Sequence, residues 1–226
     1  MFTGIIEGLG TINALRPMGE GARLTVGTDF PLTGTRIGDS IAVNGACLTV
    51  VTLGARRFSA DLSPETMEKT TFRTARTGQH VNVERAMRLS DRLDGHLVSG
   101  HIDGVGTIGA IESRGNALIV TVDVPDHLAR HMITKGSVAV DGISLTINAC
   151  GASHFRVSII PHTARITTIG FYRPGSHVNI ETDMIGKYVA RLTGAMKPLR
   201  NEGNRDGKKE KSTTIDMEFL SSSGFL

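Results

Sequence analysis

Apolar positions fall mostly into short runs broken by glycine and by asparagine or aspartate. Ile41–Val51 and Val138–Ile147 are the clearest runs, both rich in β-branched side chains, with Asn44-Gly45 and Asp141-Gly142 inside them as turn signals. Glycine pairs at Gly8-Leu-Gly10 and Gly104-Val-Gly106 are expected to punctuate further short strands. Short strands with frequent turns predict small closed barrels, because closure removes exposed strand edges. Helical signals are few. Ser63-Pro64-Glu65-Thr66 predicts a short helix, with Ser63 as N-cap and Pro64 at the first helical position, and Ile160-Pro161-His162-Thr163 repeats it without a capping side chain. Pro125–His131 predicts one helical turn.

The strand pattern occurs twice. Ser40-Ile-Ala-Val-Asn-Gly-Ala-Cys-Leu-Thr49 returns 97 positions later as Ser137-Val-Ala-Val-Asp-Gly-Ile-Ser-Leu-Thr146, with six of ten positions identical. Residues 40–84 align with 137–181 without a gap, and 19 of the 45 positions match. Thr3–Ile12 matches Ser99–Ile108 at an offset of 96. A period this long is a whole small domain rather than a solenoid repeat. The expected organisation is therefore one barrel over residues 1–97 and a second over 98–183. Beyond them, Ile185, Tyr188, Val189 and Leu192 recur at helical spacing and predict a terminal helix over 184–196. Its apolar stripe has no obvious partner in two closed barrels, which points to packing between subunits. Residues 197–226, rich in Gly, Ser, Lys and Glu, read as a disordered tail.

Composition narrows the classes. At 226 residues the chain is long enough for two such barrels, and 39% hydrophobic with 21% charged residues is ordinary for a globular protein. A net charge of +3 with interspersed acids, no Trp and two Tyr argues against a nucleic-acid surface. Two cysteines make no disulfide framework, no Cys/His set has structural-zinc spacing, and no apolar run spans a membrane. With no signal-peptide pattern at Met1–Glu7, a reducing cytoplasm is the expected location. His127 and His131 have the spacing of a zinc protease pair but lack its glutamate and a third ligand, so they read as surface.

Several motifs together resemble one family. Met1-Phe-Thr-Gly-Ile-Ile-Glu7, Asn44-Gly-Ala-Cys-Leu-Thr49, Ser63-Pro-Glu-Thr66, Gly95-His-Leu-Val-Ser-Gly-His101, Asp141-Gly-Ile-Ser-Leu-Thr146, Ile160-Pro-His-Thr163 and Asn179-Ile-Glu-Thr-Asp183 are similar to the α-type riboflavin synthases. The resemblance covers residues 1–193, duplication included. Ala46 stands where some members carry a second Cys, and Asp94 where Gly is common. The resemblance implies an all-β fold of two tandem six-stranded Greek-key barrels and a C-terminal helix, assembled as a homotrimer. It also implies a reaction between two molecules of 6,7-dimethyl-8-ribityllumazine. One donates a four-carbon unit to the other, giving riboflavin and 5-amino-6-ribitylamino-uracil without metal or organic cofactor. Association with lumazine synthase is a further expectation. In the family, facing pockets belong to the N-terminal barrel of one subunit and the C-terminal barrel of its neighbour.

Such a reaction needs a base for the lumazine C7 methyl and donors for the resulting anion. His101 is the expected acid/base group, because its first-repeat counterpart is Ile5. Cys47 reads as a nucleophile, a polar ring contact or a small buried hydrophobe, and its counterpart Ser144 favours polarity. Cys150, opposite Leu53, reads as packing. Asp183 stands opposite Ala86 and is expected both to cap the terminal helix and to lie near the site. Thr49 and Thr146 share a strand face with Cys47 and Ser144. By resemblance, substrate contacts extend to Ser40, Leu48 and Leu145. The segments lining the two pockets are Gly4-Ile5-Ile6, Asp61-Leu62-Ser63-Pro64-Glu65-Thr66, Gly100-His101-Ile102 and Ser158-Ile159-Ile160-Pro161-His162-Thr163. Lys135 is expected to reach a neighbouring subunit's ligand. Two alternatives stand beside this reading. A non-catalytic lumazine- or flavin-binding relative would be expected to lose polar groups from one repeat. A flavin-reductase barrel would need an Arg-x-Tyr-Ser/Thr motif that the chain lacks.

Overall fold

A computed structural model describes residues 1–194, and the expected tail lies outside the described residues. Twelve strands form two closed antiparallel barrels. The first contains β1 (Gly8–Met18), β2 (Gly21–Thr28), β3 (Ser40–Val43), β4 (Ala46–Gly54), β5 (Arg57–Leu62) and β6 (His80–Arg85). The second contains β7 (Gly104–Arg114), β8 (Ala117–Asp123), β9 (Ser137–Val140), β10 (Ile143–Cys150), β11 (His154–Ile159) and β12 (His177–Thr182). Both close in the same order, β1-β2-β5-β4-β3-β6 and its equivalent in β7–β12. Among the described residues four α-helices accompany the strands: α1 (Pro64–Lys69), α2 (Asp126–Ala129), α3 (Pro161–Ile166) and α4 (Met184–Leu192).

Duplicated sequence gives duplicated geometry down to its irregularities. β1 and β7 show the same pattern of inward and outward residues. Register shifts fall at Ile12/Ala14 and Ile108/Ala110, and again at Val50/Thr52 and Ile147/Ala149. Such bulges sharpen the local twist, which helps a short sheet curl shut. Each barrel is filled by its own core, around Leu24, Phe58 and Val83 in the first and Val122, Phe155 and Ile180 in the second.

Gly8 and Gly104 open β1 and β7 as expected, but the second glycine of each pair does something else. Gly10 and Gly106 lie inside strands, where a Cβ would sit 2.6 Å from Val26 and 3.0 Å from Val122. They are there because the barrel interior has no room, not to break the strand.

The helical signals hold. The Ser63 hydroxyl accepts from Thr66 N at 3.1 Å, while α3 starts without a capping side chain. Pro125–His131 contains α2, and Asp183 caps α4 by accepting from Ile185 N at 3.0 Å.

The barrels meet about a local two-fold. Asn44 and Asp141 take φ of 44°, each followed by glycine at φ 79°, the conformation of a two-residue hairpin turn. The tips of these two hairpins touch: a Cβ on Gly45 would lie 2.7 Å from Gly142 N. Two asparagines seal the contact reciprocally. Asn82 donates to the Asp141 carbonyl at 2.9 Å and accepts from Thr168 N at 2.8 Å. Asn179 donates to the Asn44 carbonyl at 2.8 Å and accepts from Thr71 N at 2.8 Å.

One part of this interface is not symmetric. The Asn44 side chain accepts from Asn82 N in the first repeat, and Asp141 does the same for Asn179 N in the second. Asp141 is fully buried and also accepts from the Tyr172 hydroxyl at 2.6 Å, whereas Ala75 stands in the first repeat. Burial pushes the Asp141 carboxyl up to about 7, against the pull of the Tyr172 and Asn179 donors. The folded chain therefore keeps a proton that the unfolded chain releases near the ordinary value of 3.8. Stability should fall as pH rises between those values and level off above. Glu84, also pushed up to about 7 by burial, adds the same slope. Asp141→Asn should remove the first contribution, so its stability relative to the parent rises steadily from about pH 4 to 7 in urea titrations. A difference independent of pH would show that Asp141 is ionised throughout.

Candidate functional site

Cys47 and Ser144 lie at matching places on β4 and β10, on the outer faces of their barrels. Alternation makes this necessary: Ala46, Leu48 and Val50 fill the interior, so Cys47 and Thr49 point outward. Each is roofed by the leading segment of the other repeat. Cys47 N donates to the Gly100 carbonyl at 2.9 Å, and Ser144 N donates to the Gly4 carbonyl at 2.8 Å. A Cβ on Gly100 would fall 2.5 Å from Cys47 Cβ, and one on Gly4 would fall 2.6 Å from Ser144 Cβ. Both glycines also take positive φ, so both positions exclude side chains twice over.

The leading segments also exchange packing partners. Ile6 packs in the second barrel's core and Ile102 against the first. The leading segments are nevertheless tied to their own repeats. Glu84 accepts from Thr3 N, Thr3 Oγ1 and Gly4 N at 2.6, 2.7 and 3.1 Å, and Glu181 accepts from Ser99 N, Ser99 Oγ and Gly100 N at 2.7, 2.7 and 2.9 Å.

A cavity of about 220 Å³ opens beside Cys47. It brings together Cys47, Glu65, Thr66, Gly100, His101 and Ile102, all expected at the site, and adds Ala46, Lys69 and Thr70. One wall is β4, another is α1, and the third is the crossing segment from the second repeat.

The other expected residues sit elsewhere. Leu48, Leu62 and Ile159 are buried in the barrel cores, which leaves backbone atoms for any ligand. Asp61 is held by the Arg23 guanidinium at 2.7 and 2.9 Å, and this pair keeps its carboxyl below the usual range. Ser40 lines a separate polar cleft of about 510 Å³ with Glu7, Asp39 and Arg85. Pro161 and Ile159 border a shallow hollow near Leu118. Ile5, Thr146, Ile160 and His162 are exposed, whereas Leu145, Ser158 and Thr163 are half-buried. Lys135 is exposed at φ 69°, with its backbone N donating to Ile147 O. Cys150 contacts the Met132 carbonyl through Sγ, consistent with packing. His127 is exposed, but His131 is half-buried beside Asp103 and Lys187, so only the former is plain surface. Among the described residues no three metal-ligating side chains gather.

His96 is the residue that sequence reasoning passed over. Its Nδ1 lies 2.7 Å from Ser144 Oγ, and a Cβ on the preceding Gly95 would lie 2.1 Å from the Thr3 carbonyl. Glycine there lets the linker pass close enough to deliver the imidazole. Burial lowers the His96 pKa, and the nearby Asp183 charge acts in the opposite sense. Burial thus favours the neutral imidazole beside the Ser144 hydroxyl and the Asp183 charge favours the imidazolium, a balance suited to moving a proton. The signal was available, since His96 stands in the quoted Gly95–His101 motif and outside the repeat.

The lumazine binding domain family matches residues 3–86 and again 99–183. The chain is a tandem lumazine-binding-domain protein. It is 42% identical over 227 residues to a riboflavin synthase of Photobacterium phosphoreum and 40% identical over 225 residues to one of Bacillus subtilis, with both chains covered entirely. A riboflavin synthase of Mycobacterium tuberculosis is 43% identical over 196 residues, covering 85% of this chain and 98% of its own. Among solved structures, LumP bound to 6,7-dimethyl-8-(1'-D-ribityl) lumazine aligns at TM-score 0.72 with 26% identity, over 80% of this chain and 99% of LumP. LumP bound to riboflavin aligns at TM-score 0.74 with 27% identity and the same coverage. The chain belongs to the riboflavin synthase family.

The His96 environment gives a direct expectation. In a histidine NMR titration His96 should protonate below the ordinary value of 6.5, and Asp183→Asn should lower it further by removing the charge that favours imidazolium. An unchanged His96 midpoint in that variant would separate Asp183 from the site.

Proposed function

We propose that this protein is a riboflavin synthase, converting two molecules of 6,7-dimethyl-8-ribityllumazine into riboflavin and 5-amino-6-ribitylamino-uracil. The observation that carries the proposal is the pairing of two equivalent outer-face positions with unequal polar surroundings: Cys47 beside a cavity under Gly100–Ile102, and Ser144 with His96 under Gly4–Ile6. Two copies of one substrate need two related cradles. A reaction in which one copy donates and the other accepts needs those cradles to differ.

The bond changes can be followed. A C7 methyl proton leaves one lumazine, and the ring spreads the resulting charge. The four-carbon unit passes to the other ring, which becomes riboflavin, and the donor leaves as the uracil. In this reading His96 with Ser144 holds or passes that proton, while His101, which lines the Cys47 cavity, binds or protonates the partner ring. Holding both rings in register supplies much of the acceleration, since orientation alone can contribute about 7–11 kcal/mol.

The reading includes a homotrimer working in the cytoplasm, with lumazine synthase as an associating partner. Two unpaired thiols suit a reducing compartment. Ile185, Tyr188, Val189 and Leu192 leave one face of α4 apolar and exposed, the face a subunit contact would cover. The non-catalytic alternative is favoured less, because Cys47, His101, Ser144 and Asp183 are all present beside His96.

Two measurements test the proposal. Riboflavin absorbance should rise when the protein is mixed with ribityllumazine, and Ser144→Ala and Cys47→Ser should each slow it by about tenfold or more. Stoichiometric ligand binding with no riboflavin would instead indicate a carrier. For assembly, sedimentation should give a trimer, and Tyr188→Glu on the apolar face of α4 should shift it to monomer with loss of turnover. A parent protein that sediments as a monomer and is fully active would refute the assembly.

A further inference from the structure

Strand β12 ends in Glu181-Thr182, Asp183 follows as the cap of α4, and each of these side chains acts on a different piece of the surroundings of Cys47 or His96. Glu181 fixes Ser99 and Gly100, at the start of the segment that roofs Cys47. Thr182 fixes the segment's end: its N and Oγ1 both donate to Asp103 Oδ2 at 2.8 Å. Asp183 caps α4 and acts on His96. One turn into α4, Lys187 Nζ reaches the same Asp103 Oδ2 at 2.7 Å.

The first repeat does this differently. Glu7, the counterpart of Asp103, is held by Arg85 through its backbone N at 2.7 Å and its Nε at 2.9 Å, so the tie closes within strand β6. Among the described residues, the Glu7 tie uses no group from beyond β6, whereas the Asp103 tie adds Lys187 from α4.

We propose that Lys187 is a positioning residue for the Gly100–Ile102 segment, so that the placement of α4 sets how tightly the Cys47 pocket is closed. The ion pair is partly shielded, with Lys187 and Asp103 side chains 31% and 24% exposed. A carboxylate already fixed by Thr182 offers the ammonium a preorganised partner, which favours a defined geometry over a fluctuating surface contact. Between the two ties lie only Gly100, His101 and Ile102 and the flanking anchors, too short a span to absorb a shift at Asp103 without moving His101 or the Gly100 carbonyl that receives Cys47 N. The consequence for turnover rests on the functional reading above, in which α4 also carries the subunit contact. Assembly and closure of this pocket then share one helix.

The test uses the full chain with Cys150→Ser, which leaves Cys47 as the one thiol. Lys187→Met keeps the apolar stem and removes the charge, while Lys187→Arg restores it. Cys47 alkylation by iodoacetamide should accelerate about fivefold in Lys187→Met and return to the parent rate in Lys187→Arg. With ribityllumazine, Lys187→Met should raise KM by a similar factor while kcat changes less, and thermal midpoint and sedimentation should match the parent. Equal alkylation rates in parent and Lys187→Met overturn the proposal, as does an accelerated rate that Lys187→Arg fails to restore. If the parent makes no riboflavin the functional reading fails, and the alkylation rates still decide the coupling.

Discussion

The fold depends on a contact between two copies of one motif. Asn82 and Asn179 each spend both side-chain groups on the opposite repeat, and the hairpin tips at Gly45 and Gly142 leave no space between them. An asparagine buried there with either group unpaired would cost about 1–3 kcal/mol, so the four bonds stand or fall together. Because each asparagine reads a backbone carbonyl and a backbone N–H, the contact specifies position rather than side-chain identity. That precision lets a neighbouring event occur: the leading segments cross, Gly4 onto Ser144 and Gly100 onto Cys47, with approaches that would not admit a Cβ. A looser interface would not tolerate such crossings.

Much of this was legible in the sequence because duplication supplies its own control. The recurrence of Asn44-Gly45 and Asp141-Gly142 between β-branched runs marks the hairpins, and Ser63-Pro64 and Asp183 mark helix starts. The glycine pairs misled, since Gly10 and Gly106 answer to neighbours from other strands, Val26 and Val122, and not to the local chain. The crossing of leading segments was hidden for the same reason. Nothing local says that Ile6 packs in the second core rather than the first. His96 was hidden more subtly. Comparing repeats exposes residues whose counterpart differs, such as His101 against Ile5, but His96 has no counterpart to differ from.

That observation bears on where the asymmetry of the two pockets comes from. Within the repeats the differences are few: Cys47 against Ser144, Asn44 against Asp141 and Ile5 against His101. Further differences come from segments present once: the linker that delivers His96, and the terminal helix that delivers Lys187. A tandem duplication joined by a linker cannot be fully symmetric, because one segment must run between the copies. Here the linker reaches Ser144, and the helix reaches the roof over Cys47 through Lys187 while its cap Asp183 acts on His96. Connectivity thus adds its own asymmetry to the one that Cys47 against Ser144 and His101 against Ile5 already supply.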